Sequence, residues 1–171
     1  MSVRRAGPLD AEAIGRLQVR GWRWAYRDLL PGAGFARLPE ATMAQRWRSL
    51  LDRAGPEDRT WVAERGGAVA GFCHTGRCRD ADAQPGWFEV HAIYLDDESL
   101  TGRGIGRALL QHALDDMRSR GAATVTLWVL RDNARARRFY EAAGFRADGA
   151  EKVETDGDGV RYDEVRYRLT P

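Results

Sequence analysis

The sequence predicts an α+β domain with a mixed, largely antiparallel central sheet and helices on both of its faces. Three observations lead to this class. Two stretches with helical spacing of apolar residues come early in the chain, three strand-like stretches follow them, and the second half alternates between helix and strand before ending in a hairpin. The predicted element order is βααβββαβαββ.

The first part of the chain predicts one short strand and two helices. Residues 3–6 form the strand, and residues 8–32 contain a helix that is capped by Asp10 and ends before Pro31. The second helix lies within residues 38–55, where a proline near the first turn and a glycine past the end mark its limits.

The apolar period then changes from helical spacing to strand-like stretches. Residues 60–64 and 68–77 flank the turn RGG, so they are expected to form an antiparallel hairpin. A polar loop leads from this hairpin to residues 87–95, WFEVHAIYL, which predict a further strand.

Three glycines stand where the next helical pattern begins, in the segment LTGRGIGRALLQHAL. Gly102, Gly104 and Gly106 provide bare backbone, which allows a tight turn or the close approach of a bound group. The helix that follows ends at Gly121, and the unpaired N–H groups at its start attract anions, most often phosphate. The segment therefore predicts a site for a phosphorylated cofactor.

The last part of the chain repeats the strand–helix alternation and ends in a hairpin. Residues 123–130 predict a buried strand, and NARARRFYEAAGF predicts a helix with Asn133 as N-cap and Gly144 as C-cap. Two final strands flank the turn DGDG.

Length and composition limit the class of protein. A chain of 171 residues with 43% hydrophobic residues is expected to form one well-buried domain. It contains no run of about 18 apolar residues that could span a bilayer, and its first ten residues lack the apolar stretch of a secretory signal. We therefore expect a cytoplasmic protein without a membrane partner.

Cys73 and Cys78 have no matching pair elsewhere, so no metal site is expected, and Cys73 is interpreted as a small core residue.

The charge pattern gives little support to a nucleic-acid partner. The net charge is +2, with acidic residues interspersed among the basic ones, whereas a nucleic-acid site needs basic residues on one face. Only residues 135–139, RARRF, are locally basic.

Two segments together resemble the GNAT superfamily of acetyl-CoA-dependent N-acetyltransferases. They are IYLDDESLTGRGIGRALL and, after one strand, NARARRFYEAAGF; the segments WRWAYRDLLPG and RWRSLL also look like the first two helices of many bacterial members. The order and spacing of strand, glycine-rich loop, helix, strand and Asn-to-Tyr helix make the resemblance specific. It implies a single N-acetyltransferase domain over residues 1–171.

The resemblance implies acetyl-CoA as cofactor, with the glycine-rich loop around its pyrophosphate. Thr101 stands where members usually have Gln or Arg. The backbone of the strand ending at Leu95 would bind the pantetheine arm and polarise the acetyl carbonyl, and Asn133 would contact that arm as well as cap its helix. The implied cofactor residues are Ile93, Tyr94, Leu95, Thr101, Gly102, Arg103, Gly104, Ile105, Gly106, Arg107 and Asn133.

Transfer chemistry requires a proton acceptor for the amine and a proton donor for the departing thiolate. Glu89, at the position of a carboxylate that several family members use, is the first candidate for the base. His91, two residues further on the same strand face, is the second. Either residue could instead be a strand polar group that faces solvent. Tyr140 matches the tyrosine that protonates the thiolate in the family, with core packing as the alternative.

The acceptor is expected to be a small-molecule or peptide amine. In the family the first two helices and their connection form much of the acceptor pocket, so Trp22, Trp24 and Tyr26 are candidates for its lining, although aromatic residues at helical spacing also form cores. Direct transfer in a ternary complex is expected, because neither cysteine is at a recognised nucleophile position. A non-catalytic acyl-CoA-binding or sensing module is the alternative, and a homodimer is left open.

Overall fold

Seven strands form one sheet in the computed structural model, which describes residues 1–170. The strand order across the sheet is β1-β2-β3-β4-β5-β7-β6. The strands are β1 Ser2–Arg5, β2 Arg59–Arg65, β3 Ala68–Arg77, β4 Trp87–Leu95, β5 Thr124–Leu130, β6 Arg146–Thr155 and β7 Arg161–Leu169. The helices are α1 Ala11–Ala25, α2 Glu40–Asp52, α3 Ile105–Ser119 and α4 Ala134–Ala142.

The predicted element order and sheet class are confirmed. All neighbouring strands pair antiparallel except β4 and β5, which are parallel. The chain passes through α3 between β4 and β5. This crossover returns the chain to the end of the sheet where β4 begins, so β5 runs parallel to β4.

Helices α1 and α2 cover one face of the sheet. Ile14 and Leu17 of α1 pack with Met43 and Trp47 of α2 against Phe72 of β3. The two helices cross closely at Gly15, where a Cβ would lie 2.4 Å from the backbone nitrogen of Ala44. A larger residue there would therefore separate the helices.

Helices α3 and α4 cover the other face. The apolar stripe of α3 packs onto β2, β3 and β4, and Phe145, just before β6, belongs to the same cluster. Cys73 is fully buried in this cluster, as expected for a small core residue. Helices therefore lie on both faces, as predicted. Among residues 1–170 there is no helix whose length and apolar character would let it cross a bilayer.

The first helix departs from the prediction at its C-terminal end and in the bonding of its N-cap residue. It ends at Ala25 rather than just before Pro31. Asp10 is the N-cap residue of α1, as predicted, but its side chain makes no capping bond to this helix. It instead accepts hydrogen bonds from Arg4, at 2.8 Å, and from the Gly7 N–H. The Asp10 carboxylate therefore pairs with Arg4 of β1 instead of with the first N–H groups of α1.

Candidate active site

The strands β4 and β5 separate to form the main cleft of the molecule. Their pairing joins residues 87–89 to residues 124–126, beyond which both strands continue. The ladder between β3 and β4 shifts register where His91 is inserted between the partners of His74 and Thr75. Such a bulge bends a strand and re-aims its side chains. The cleft has a volume of about 990 Å³ and is lined by the diverging parts of both strands.

The glycine-rich loop forms one end of this cleft. Gly102 and Gly104 have φ angles of 72° and 82°, in the left-handed region that glycine adopts without strain. A Cβ added at either residue would meet no protein atom within 4 Å. Since Ala108 makes the first α3 hydrogen bond, to the Gly104 carbonyl, the preceding amides have no partner within the helix. This end of the cleft is suited to hold a phosphate group.

The residues predicted for the loop divide into two groups. Gly102, Gly104, Gly106, Arg107 and Thr101 line the cleft. Ile105, in contrast, is buried in the core, and the side chain of Arg103 turns back to donate to the Ser99 carbonyl at 2.7 Å. These two residues can reach a ligand in this conformation only through their backbone.

Arginines outside the predicted set add positive charge beside the loop. Arg135 donates to Glu98 and to the Thr101 hydroxyl and lies 5.4 Å from the ring centre of Trp24. Arg138 lies one helical turn further along α4, and both arginines line the cleft. The locally basic segment of α4 was visible in the sequence, but its position across from the loop was not.

The predicted strand edge also lies in the cleft. Ile93, Tyr94 and Leu95 line its wall, and Trp24 donates its indole N–H to the Leu95 carbonyl at 3.3 Å. Opposite them, Asn133 lines the cleft and caps α4 by accepting the Ala136 N–H at 3.0 Å. The predicted capping role of Asn133 is confirmed.

Tyr140 lies on the α4 wall of the cleft. Tyr140 is half-buried, and its ring contacts Phe139 and Phe145. Desolvation raises the pKa of its phenol well above the usual value, and the nearby Tyr94 adds to this effect. The hydroxyl therefore keeps its proton at neutral pH.

Glu89 and His91 lie together, as predicted from their spacing. The Nδ1 of His91 is 3.3 Å from Glu89 Oε1, close enough for ion pairing but not aligned as a hydrogen bond. His91 lines the cleft, whereas Glu89 lies behind it and accepts the Arg79 N–H at 3.1 Å. Burial acts to raise the pKa of Glu89, but His91 and Arg79 together lower it to about 2. Glu89 is thus a charged partner of His91.

Two of the three aromatic residues predicted for the acceptor pocket line the cleft. Trp24 and Tyr26 line the cleft, and the Tyr26 hydroxyl lies 2.8 Å from the Tyr94 hydroxyl. Trp22 instead packs edge-on against Phe35 and Tyr94 in the layer beneath. Its helical spacing places it on the core side of α1.

Glu164 and Trp128 are cleft residues that the sequence analysis missed. Both line the cleft, on strands β5 and β7. Desolvation raises the pKa of Glu164, an effect that the pairing with Lys152 opposes. Glu164 belongs to a strand of alternating polar residues, RYDEVRYRL, and nothing in that pattern distinguishes it from its neighbours. Only the pairing of β7 with β5 brings it to the cleft.

The connection between α1 and α2 contacts the β6–β7 turn. The Gly34 N–H donates to Asp156 Oδ2 at 2.6 Å, and Arg37 forms an ion pair with Asp158. Phe35 also contacts the ring of Tyr162 on β7. These contacts join two segments that are distant in sequence.

Comparison with known proteins identifies the family. Residues 18–145 match the model of the acetyltransferase (GNAT) family. The chain belongs to this family. An N-acetyltransferase of Archaeoglobus fulgidus is 30% identical, over 93% of this chain and 99% of that protein. A mycothiol acetyltransferase of Beutenbergia cavernae is 53% identical over 79% of this chain, which spans 58% of that longer protein.

Solved GNAT structures share the fold of this family member. The PaiA N-acetyltransferase of Thermoplasma acidophilum, solved with coenzyme A, has a TM-score of 0.76 and 19% identity, covering 99% of this chain and 98% of its own. The ribosomal-protein-alanine N-acetyltransferase of Brucella melitensis has a TM-score of 0.74 and 21% identity, with both chains covered completely.

Family membership makes the protein an acyltransferase with acetyl-CoA as the acyl donor. The described residues suit this cofactor. The open space at Gly102 and Gly104 and the free amides of α3 suit a pyrophosphate, and Arg107 lies beside them. The edge of β4 that faces β5, beyond their shared pairing, suits an amide-containing arm.

Proposed function

We propose that the protein, as one domain over residues 1–171, transfers an acetyl group from acetyl-CoA directly to a primary amine. The observation that supports this most strongly is the continuity of the cleft. It joins a phosphate-type loop at one end to Tyr140, His91 and an aromatic pocket at the other. A cofactor in the first part and an amine in the second would meet beside Tyr140.

Direct transfer is favoured over a covalent acetyl-enzyme because neither cysteine is available as a nucleophile. Cys73 is fully buried, and burial raises the pKa of its thiol to about 12. Burial also raises the pKa of Cys78, which lies against Thr126 and Asp80. A thiol reacts as its thiolate, so both residues are poor nucleophiles at neutral pH.

Bound acetyl-CoA supplies the acetyl group as a thioester. The Tyr140 phenol, which remains protonated, donates its proton to the departing sulfur. Of the two predicted base candidates, His91 reaches the cleft, and the charged carboxylate of Glu89 stabilises the imidazolium that forms when a proton arrives through water. With a pKa of about 2, Glu89 is itself a weak base.

The class of acceptor is proposed only as far as a primary amine. The relatives include a mycothiol acetyltransferase, and the solved structures include ribosomal-protein-alanine N-acetyltransferases. The names of these proteins refer to a small molecule and to a protein as acceptors.

Two measurements on one sample test the proposal. Acetyl-CoA should raise the melting temperature, because it binds only the folded chain. Thiol release and product mass are then followed with an alkyl diamine, a peptide with a free N-terminus and a lysine-containing peptide. A melting shift with transfer to at least one amine supports the enzyme. A shift without transfer would favour the binding module, and no shift would overturn the cofactor assignment.

A further inference from the structure

The single lysine of the chain lies beside the acceptor end of the cleft. Arginine provides every other basic residue among the 27 lysines and arginines. The ammonium of Lys152 lies 3.2 Å from Glu164 Oε2, 3.2 Å from Glu154 Oε1 and 4.5 Å from the ring centre of Trp128. Two of these three partners, Glu164 and Trp128, line the cleft.

A carboxylate next to an indole face is a recognition site for an ammonium ion. The carboxylate supplies a charged hydrogen-bond acceptor, and the ring face attracts the cation through its quadrupole. Glu164 is well sheltered, with 19% of its side chain exposed, so an unpaired charge there would be costly. A cation beside the carboxylate offsets this cost, and in the free protein Lys152 provides it.

We propose that Glu164 and Trp128 bind the ammonium group of the acceptor, and that Lys152 occupies this position until the acceptor displaces it. The inference rests on the proposed function, which it deepens by naming a protonated aliphatic amine as the acceptor class. Lys152 then acts as an internal competitor of the substrate.

The contacts of Lys152 allow it to leave. Its side chain is 36% exposed and has a second carboxylate, that of Glu154, which is 45% exposed. When the ammonium turns towards Glu154, it keeps one partner in water, where an ion pair forms and breaks at little cost.

The other cation near Trp128 is fixed by contrast. Arg166 lies 5.7 Å from the ring centre, but Asp80, Asp82 and Asp148 hold its guanidinium, and its side chain is only 6% exposed. Lys152 is thus the cation that can exchange with a ligand.

Because there is one lysine, its side chain can be observed alone. Protein labelled with ¹³C and ¹⁵N only at lysine gives one set of side-chain NMR signals, which the ring of Trp128 shifts away from the values of free lysine. We expect n-butylammonium chloride at tens of millimolar to move these signals towards the free values, beyond the effect of sodium chloride at equal ionic strength. Glu164→Gln, which weakens the cation site, should reduce the part of the change that is specific to n-butylammonium. Signals that respond equally to both salts would overturn the proposal.

Steady-state kinetics provide the second test. Lys152→Met removes the competing charge and keeps the stem over Trp128, whereas Lys152→Arg keeps a cation in place as the matched control. Relative to Lys152→Arg, the Met variant should lower the KM for an alkylamine by about three- to tenfold, because the site is no longer occupied. The KM for acetyl-CoA should be equal in the two variants.

An equal KM for the amine in both variants would also overturn the proposal. If the wild-type protein acetylated no amine at all, the proposed function would fail, and the NMR titration would still decide the ammonium site. The two failures are therefore distinguishable.

Discussion

Gly106→Ala should separate cofactor binding from fold stability. Gly106 lies in the first turn of α3 and lines the cleft, and its φ angle is not in the left-handed region. A Cβ there would meet only the Phe139 ring, at 3.6 Å, which is an ordinary contact. Gly104 is less suitable for this test, because its φ of 82° strains any other residue.

The substitution should raise the stability of the fold but lower the affinity for acetyl-CoA. Alanine is favoured over glycine in a helix by about 0.5–1 kcal/mol, which raises the melting temperature of a chain of this size by about 1–4 °C. The new methyl group would project towards Phe139, which also lines the cleft, and we expect it to hinder the approach of a phosphate to the loop. Loss of one charged hydrogen bond to a backbone amide costs about 1.5–3 kcal/mol, or roughly 10- to 150-fold in acetyl-CoA affinity.

Calorimetric titration with acetyl-CoA and thermal melts without ligand measure the two effects. Gly7→Ala is the matched control, since Gly7 has an extended backbone, lies outside the cleft and has no atom within 4 Å of an added Cβ. A Gly106→Ala variant that bound acetyl-CoA as tightly as the control would refute the assignment of this loop to the cofactor.

Two further predictions concern proton chemistry. Tyr140→Phe should keep acetyl-CoA affinity but reduce turnover about a hundredfold, measured as thiol release with an accepted amine; unchanged turnover would rule out the acid role. Burial, with a smaller effect of His91, lowers the pKa of His74 from 6.5 to about 4, so the unfolded chain binds a proton that the folded chain excludes. Stability should therefore be lost as the pH falls from 6.5 to 4, by about 3 kcal/mol in urea unfolding, and a His74→Asn variant with the same pH dependence would contradict this cause.

The element order could be predicted because it depends on local features. The spacing of apolar residues distinguishes α3 from β5 without knowledge of their partners, and Asn133 marks the start of α4 by its own capping bond. The end of α1 could not be predicted in the same way. Residues after Ala25 keep a helical pattern, but the Tyr26 hydroxyl pairs with that of Tyr94 on β4 and the chain turns away.

The site was predictable where one segment contains all of its parts. The glycine-rich loop and the start of α3 are contiguous, so their role in binding an anion follows from backbone geometry and the helix N-terminus. Glu89 and His91 could be paired from their separation along one strand, although the sequence could not show which of them reaches the cleft.

The sequence by itself determined the elements, their order and the cofactor end of the site, because turns, caps and glycine conformations act between neighbours in the chain. The tertiary structure alone decided the acceptor end. There, the bulge at His91 and the separation of β4 from β5 open the cleft, and the β5–β7–β6 pairing brings Trp128, Glu164 and Lys152 together. Contacts of this kind depend on strand register across the whole sheet, which no local pattern specifies.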